Sequence, residues 1–185
     1  MRIAVYSGSF HPLHIGHLAI LRTLSDWDGA DWTYLVVSPQ NPLKEAIGDR
    51  SGKERYLSAL KALQRHPELR VWLDDIELRM PPPSYTIRTL DALRRQEPGH
   101  DFMLVIGGDN LALIRRWKEY RRILTEYGVA VYPRRGYDSE ALRAELMAED
   151  PAYRITLLDC PMVDISSTQI REAVARGEDV AALLM

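Results

Sequence analysis

The sequence predicts an α/β fold, a doubly wound parallel sheet forming a single domain over residues 1-185, and three observations predict it. Short apolar runs alternate with amphipathic stretches along the whole chain. The runs are apolar at every position rather than every second one, the mark of strands covered on both faces. The connections are short except for Pro39 to Gly52 and Glu77 to Tyr85, and loops of that length in a compact domain tend to carry function.

Each element follows in order. Arg2 to Tyr6 reads as a buried strand ended by the Ser7-Gly8-Ser9 turn. Ile15, Leu18, Ala19, Leu21 and Leu24 recur at helical spacing up to about Trp27, and Thr33 to Val37 is a second strand stopped by Ser38-Pro39. A helix is expected over Ser51 to Gln64, a weaker strand at Val71 to Leu73 and a helix over Thr86 to Arg95, with Thr86 a good N-cap. Phe102 to Ile106 is the clearest strand, and one long helix is expected over Asn110 to Tyr127. Strands at Val129 to Tyr132 and Ile155 to Leu158, a helix over Ser139 to Ala148 and a helical C-terminal end from about Ser167 complete the count.

Composition narrows the class. Hydrophobic residues make up 46% and charged residues 27%, as in soluble globular proteins. Lysine plus arginine number 24 against 26 acidic residues, a formal charge of -2, so no global field holds a nucleic-acid backbone. A local cluster of Arg115, Arg116, Lys118, Arg121 and Arg122 reads as a solvated helix face. No apolar run is long enough for a membrane span. Cys160 is the only cysteine, which suits a reducing compartment, and a cytoplasmic location is expected.

Three of the five histidines fall in GSFHPLHIGH, residues 8–17. That stretch runs off the first strand into the first helix, where ligands bind in doubly wound sheets. His14 and His17 are three apart, so both can point from one side of the first helical turn, beside N–H groups and a dipole that favour an anion. A zinc site would want a further ligand, and outside the stretch itself no Cys, His, Asp or Glu stands near in metal-like spacing. No resident metal site is expected. The spacing alone leaves phosphate handling and an incidental helix end both open.

GSFHPLHIGH resembles the G-x-F-x-P-x-H-x-G-H segment of the HxGH nucleotidyltransferase superfamily, and Ile165-Ser166-Ser167-Thr168-Gln169-Ile170-Arg171 resembles its I-S-S-T-x-I-R element. Ser166 with Gln169 is also a capping box. Between them, Asp75-Ile76-Glu77-Leu78-Arg79, Ser84-Tyr85-Thr86 to Thr89-Leu90, Ile106-Gly107-Gly108-Asp109, Trp117-Lys118 and Arg134-Arg135-Gly136 are similar to stretches of the bacterial nicotinate-nucleotide adenylyltransferases. Two departures stand out. Asn41-Pro42-Leu43-Lys44 replaces the family's P-H-K or P-H-R element, and Arg88 stands where an acidic residue is common.

The resemblance implies a Rossmann-like nucleotidyltransferase fold and transfer of AMP from ATP to nicotinate mononucleotide, giving the deamido-NAD dinucleotide and pyrophosphate in NAD biosynthesis. It implies His14 and His17 as catalytic donors to the α-phosphate. Gly8, Ser9, Phe10, Gly107, Asp109, Ser166, Ser167, Thr168 and Arg171 would bind ATP. Lys44, Thr86, Trp117 and Arg134 would bind the pyridine nucleotide, and Mg²⁺ would arrive with ATP. No nucleic-acid or membrane partner is expected, and the oligomeric state is left open. The rival within the superfamily is a nicotinamide-mononucleotide or phosphopantetheine adenylyltransferase. The rival from another class is a nucleotide-binding module without turnover.

Overall fold

The structure, a computed structural model, describes residues 1–39 and 51–185. Six strands, β1 (Arg2–Gly8), β2 (Trp32–Val37), β3 (Val71–Asp74), β4 (Asp101–Gly107), β5 (Val129–Tyr132) and β6 (Ile155–Leu157), form one parallel sheet in the order β3-β2-β1-β4-β5-β6. The helices are α1 (Ile15–Asp26), α2 (Gly52–Gln64), α3 (Ile76–Arg79), α4 (Thr86–Gln96), α5 (Gly108–Leu113), α6 (Tyr120–Arg122), α7 (Ser139–Glu149) and α8 (Ser167–Ala175). The strand order reverses direction at β1, which makes the gap between β1 and β4 the topological switch point of a Rossmann-like fold.

The continuous apolar runs are explained by two cores. Ile3, Val5, Tyr34, Val36, Leu104, Ile106, Val129 and Val131 pack under α3, α4, α5 and α7. Their strand neighbours Ala4, Tyr6, Leu35, Val37, Val105, Ala130 and Tyr132 pack under α1 and α2 on the other face. Each strand residue therefore serves one core or the other, and a polar side chain in mid-strand would be buried on either side.

The long helix expected over Asn110 to Tyr127 is broken. Helix α5 ends at Leu113, a 3₁₀ turn covers Ile114–Arg116, Trp117 is extended, and α6 runs into a π turn over Ile123–Tyr127. Glu119 takes a left-handed φ of 52° at the restart. The phase of the apolar residues gives the reason. At about 100° per residue, an unbroken helix would turn Ile123, Leu124 and Tyr127 to the side opposite Leu111 and Ile114. The break resets the phase, and all five reach the same core. Thr86 is also not a cap: Tyr85 is the N-cap of α4 and makes no side-chain capping bond.

Three residues of the Arg115 to Arg122 cluster, Arg115, Arg121 and Arg122, face carboxylates. Arg115 bonds Glu149 at 2.8 Å, while Arg122 meets Asp91 at 3.0 Å and Glu126 at 2.7 Å. Such exposed pairs contribute little stability each. Among the described residues no helix is long and apolar enough to cross a membrane.

Candidate active site

Strand pairing opens the site. β1 stays paired to β2 as far as Gly8 and Val37, and β4 to β5 as far as Gly107 and Tyr132. The β1–β4 register runs only to Val5 and Leu104. Beyond that pair the two strands part, and a cavity opens to either side. The larger, about 390 Å³, is lined by His14, His17, Asp109, Tyr132, Arg134 and the Cys160 to Ile165 segment, among others. The smaller, about 240 Å³, is lined by Ser7, Glu77, Ser84, Thr86, Asn110 and Trp117, with strand residues behind them.

His14 and His17 do not simply share one side of a helical turn. His14 is the N-cap of α1, and its Nδ1 accepts the Gly16 N–H at 3.0 Å; the Nδ1 of His17 accepts the His14 N–H at 3.1 Å. The two imidazoles thus build a reciprocal cap of the kind usually made by Ser and Glu, with ring centroids 3.7 Å apart. Gly16 is what lets the cap close, because a Cβ there would lie 2.8 Å from the His14 ring. Each Nδ1 is an acceptor, so each neutral ring carries its proton on Nε2, on the side away from the helix. Burial, then the Arg134 guanidinium, lowers the His14 pKa to about 4. Burial, then His14 and Arg134, holds His17 well below the ordinary histidine range. The pair therefore offers two uncharged N–H donors at neutral pH.

This state has a consequence for stability. Between the ordinary histidine value of 6.5 and about 4, the unfolded chain binds protons that the folded chain refuses. The stabilisation is complete above the upper value and is lost as pH falls toward the lower one. Urea midpoints should drop on acidification through this window. A His14→Gln/His17→Gln variant should lose part of that drop; an identical drop in the variant would contradict the neutral assignment.

The histidine loop is held from several directions. Phe10 takes a left-handed φ of 48°, a conformation costly for a bulky side chain. Its ring meets Tyr6 and His17 edge-on at 5.4 and 5.3 Å, and it lies so close to Gly8 that a Cβ there would approach to 2.9 Å. Arg55 of α2, buried, donates from Nη1 to the carbonyls of Ser9 and Ser38, each at 2.7 Å. From the second motif, Ser167 donates to the Pro12 carbonyl at 3.0 Å and Arg171 to the His11 carbonyl at 2.7 Å. Ser166 caps α8 with Gln169 as its reciprocal partner. Leu184 bridges His14 antiparallel.

The sequence-predicted residues divide between these features. His14, His17, Asp109 and Arg134 line the larger cavity, with Asp109 Oδ1 3.7 Å from Arg134 Nε. Arg134 thus stands beside the histidines rather than with Thr86 and Trp117, which share the smaller cavity. Gly8 ends β1, Ser9 and Phe10 follow it, and Gly107 closes β4. Ser166, Ser167, Thr168 and Arg171 follow directly on Ile165, which lines the larger cavity. Lys44 lies outside the described residues.

Sequence reasoning passed over four residues. Tyr6 and Tyr132 line both cavities yet read as ordinary apolar strand positions. Arg55 sat within the helical stretch Ser51 to Gln64 and gave no signal. Glu77 could have been found in its D-x-E segment: it is buried in the smaller cavity wall and accepts from Ser7 at 3.2 Å and Thr89 at 3.0 Å.

Comparison with known proteins agrees with this architecture. The cytidylyltransferase-like family model matches residues 5–173. A protein of Bacteroides fragilis (strain YCH46) named "Probable nicotinate-nucleotide adenylyltransferase" is 37% identical over 99% of this chain and 87% of its own length. One of the same name from Flavobacterium johnsoniae is 34% identical over 100% of this chain and 92% of its own. Among solved structures, the Plasmodium falciparum nicotinic acid mononucleotide adenylyltransferase complexed with NaAD superposes with a TM-score of 0.77. That match is 18% identical and covers 97% of this chain and 86% of the other, a likeness of fold. With a family model covering most of its length and relatives above 30% identity end to end, the chain belongs to the cytidylyltransferase-like family, among its nicotinate-nucleotide adenylyltransferases.

Proposed function

We propose that the chain transfers the adenylyl group of ATP to nicotinate mononucleotide in the cytoplasm. An oxygen of the mononucleotide's 5′-phosphate attacks the α-phosphorus, and the bond from that phosphorus to the β-bridging oxygen breaks. Pyrophosphate leaves with the electron pair. The observation that carries the reading is the pair of cavities that meet at the crevice beside two neutral imidazole donors. Two substrates need two compartments with one shared border, and the reacting phosphates belong at that border.

The nucleophile needs no base, because the second ionisation of a phosphate monoester falls near pH 6. What the step needs is alignment of two polyanions and donors for charge on the transferring group. His14 and His17 supply Nε2–H groups there without adding charges that would have to be desolvated. Ser167 and Arg171 set the loop's position through its carbonyls, and the N–H groups at the start of α8 meet the β- and γ-phosphates together with Ser166 and Thr168. The backbone of Gly8, Ser9 and Phe10 lies along the phosphates. Asp109, beside Gly107, accepts from the ribose hydroxyls, and Arg134 accompanies the triphosphate. Lys44 is left to the acceptor phosphate.

Among the described residues no three of His, Cys, Asp or Glu gather as a metal site, and the carboxylates lining the larger cavity are Asp109 and Asp164. That donor set fits Mg²⁺ travelling on the triphosphate and keeping its waters. When bound, the ion neutralises charge on the phosphates.

The pyridine ring enters the smaller cavity, where Trp117 offers a stacking face and Thr86 a hydroxyl and N–H for the carboxylate. Trp117→Ala should raise KM for nicotinate mononucleotide about tenfold, in the range of a lost aromatic stack, and leave KM for ATP nearly unchanged. Equal shifts in both constants would remove Trp117 from this role. The reaction itself is tested by pyrophosphate release with nicotinate mononucleotide, nicotinamide mononucleotide and phosphopantetheine offered in turn. Release with the first acceptor well above the other two supports the reading, and preference for either of the others overturns it.

A further inference from the structure

Among the described residues, Tyr6 and Tyr132 alone line both cavities. Tyr6 is the first residue of β1 past its last pair with β4, and Tyr132 ends β5 on the far side of the crevice. Their rings meet edge-on with centroids 5.9 Å apart, and both side chains are buried. Tyr6 also packs against Phe10 at 5.4 Å and His17 at 6.3 Å. The Arg134 guanidinium lies over the Tyr132 ring at 5.3 Å. The two phenols therefore sit where one compartment becomes the other, next to the histidine pair.

Packing alone does not ask for hydroxyls here. Two phenylalanines would fill the same space, and a buried O–H costs free energy unless it is partnered. The Tyr6 phenol interacts with that of Tyr132, and the Tyr132 phenol with Arg134. Each phenol brings one proton, and Arg134 donates without accepting. At most one phenol can donate to the other, so at least one O–H proton in the trio is left for an acceptor outside it. Burial, followed by the neighbouring Tyr132, holds the Tyr6 hydroxyl protonated far above neutral pH, so the donor is always present.

We propose that Tyr6 and Tyr132 form a phenolic bridge at the junction of the two cavities and donate a hydrogen bond to a phosphate oxygen of the transferring group. The inference rests on the adenylyl-transfer reading and adds to it one phenol that touches the phosphate and a second that positions it. The bridge works from the sheet side of the crevice, while the histidines work from α1, so the transferring phosphate is held from two directions.

Tyr6→Phe and Tyr132→Phe keep the rings and remove the hydroxyls. Each should lower kcat/KM by about tenfold to a hundredfold, the range for a hydrogen bond to a charged acceptor, with an unchanged thermal midpoint. The discriminating readout uses ATP with sulfur in place of a non-bridging α-oxygen, each diastereomer in turn. Sulfur is the poorer acceptor, so the rate loss on sulfur substitution should shrink severalfold in the phenylalanine variants for one diastereomer. A merely structural role would slow ATP and its sulfur analogue alike. Wild-type rates in both variants, or an unchanged sulfur effect, overturn the inference while the enzyme reading stands. No pyrophosphate release by the wild-type protein would overturn that reading, and this inference with it.

Discussion

Replacing His17 with alanine lowers kcat/KM for dinucleotide formation by a factor of about a hundred to a thousand, the scale of losing one pre-aligned donor to a developing charge. The loss falls mainly on kcat, because the Nε2–H is aimed at a group whose charge redistributes in the transition state. Part of the loss comes through His14. Its backbone N–H gives up the His17 Nδ1 acceptor at 3.1 Å, so the cap loosens and the His14 ring loses its fixed tautomer. His17→Gln, which keeps an amide N–H, recovers part of the rate. Steady-state kinetics with ATP and nicotinate mononucleotide check this, and turnover unchanged in His17→Ala removes the assigned role.

Replacing Arg55 with methionine costs about 2 to 4 kcal/mol of stability, from two part-buried carbonyls deprived of a buried, charged donor. It also lowers turnover. The guanidinium joins the Ser9 carbonyl to the Ser38 carbonyl, tying the turn after β1 to the end of β2. Without it the left-handed conformation at Phe10 loses one of the restraints that hold it, and the ring that meets His17 shifts. Urea denaturation read beside kcat checks both halves. A large loss of stability with full activity would confine Arg55 to the core.

The strands were legible because burial on both faces leaves a sequence trace: Ile3 and Ala4, or Val36 and Val37, are apolar side by side although they serve different cores. The histidine turn was legible as a place but not as a geometry. Spacing put His14 and His17 near one helical turn, and nothing in it showed that the rings cap the helix with Nδ1. That arrangement depends on Gly16 having no Cβ, which the sequence showed only as a glycine. The break at Trp117 was hidden because Leu111, Ile114 and the later apolar residues look helical locally. Only the demand that all reach one core exposes the phase error.

Site residues drawn from different strands were the hardest to see. Tyr6 and Tyr132 stand far apart in the chain and become neighbours only through the strand order and the parting of β1 from β4. Arg134 was expected with the pyridine nucleotide from the resemblance of its segment to the family's R-x-G turn. In three dimensions that turn folds back toward Asp109 and the histidines. Trp117 and Thr86 were expected together, and they line one cavity although Trp117 leaves the helix it was assigned to.

The most direct measurement follows the phosphorus itself. ATP labelled at the α-phosphorus is incubated with nicotinate mononucleotide, Mg²⁺ and either the wild-type protein or His17→Ala. Label appearing in the dinucleotide, with unlabelled pyrophosphate released in equal amount and the transfer collapsing in the variant, is the result predicted by two cavities meeting at a neutral histidine pair. Label that stays in ATP or appears in ADP, or that transfers equally fast in the variant, contradicts it.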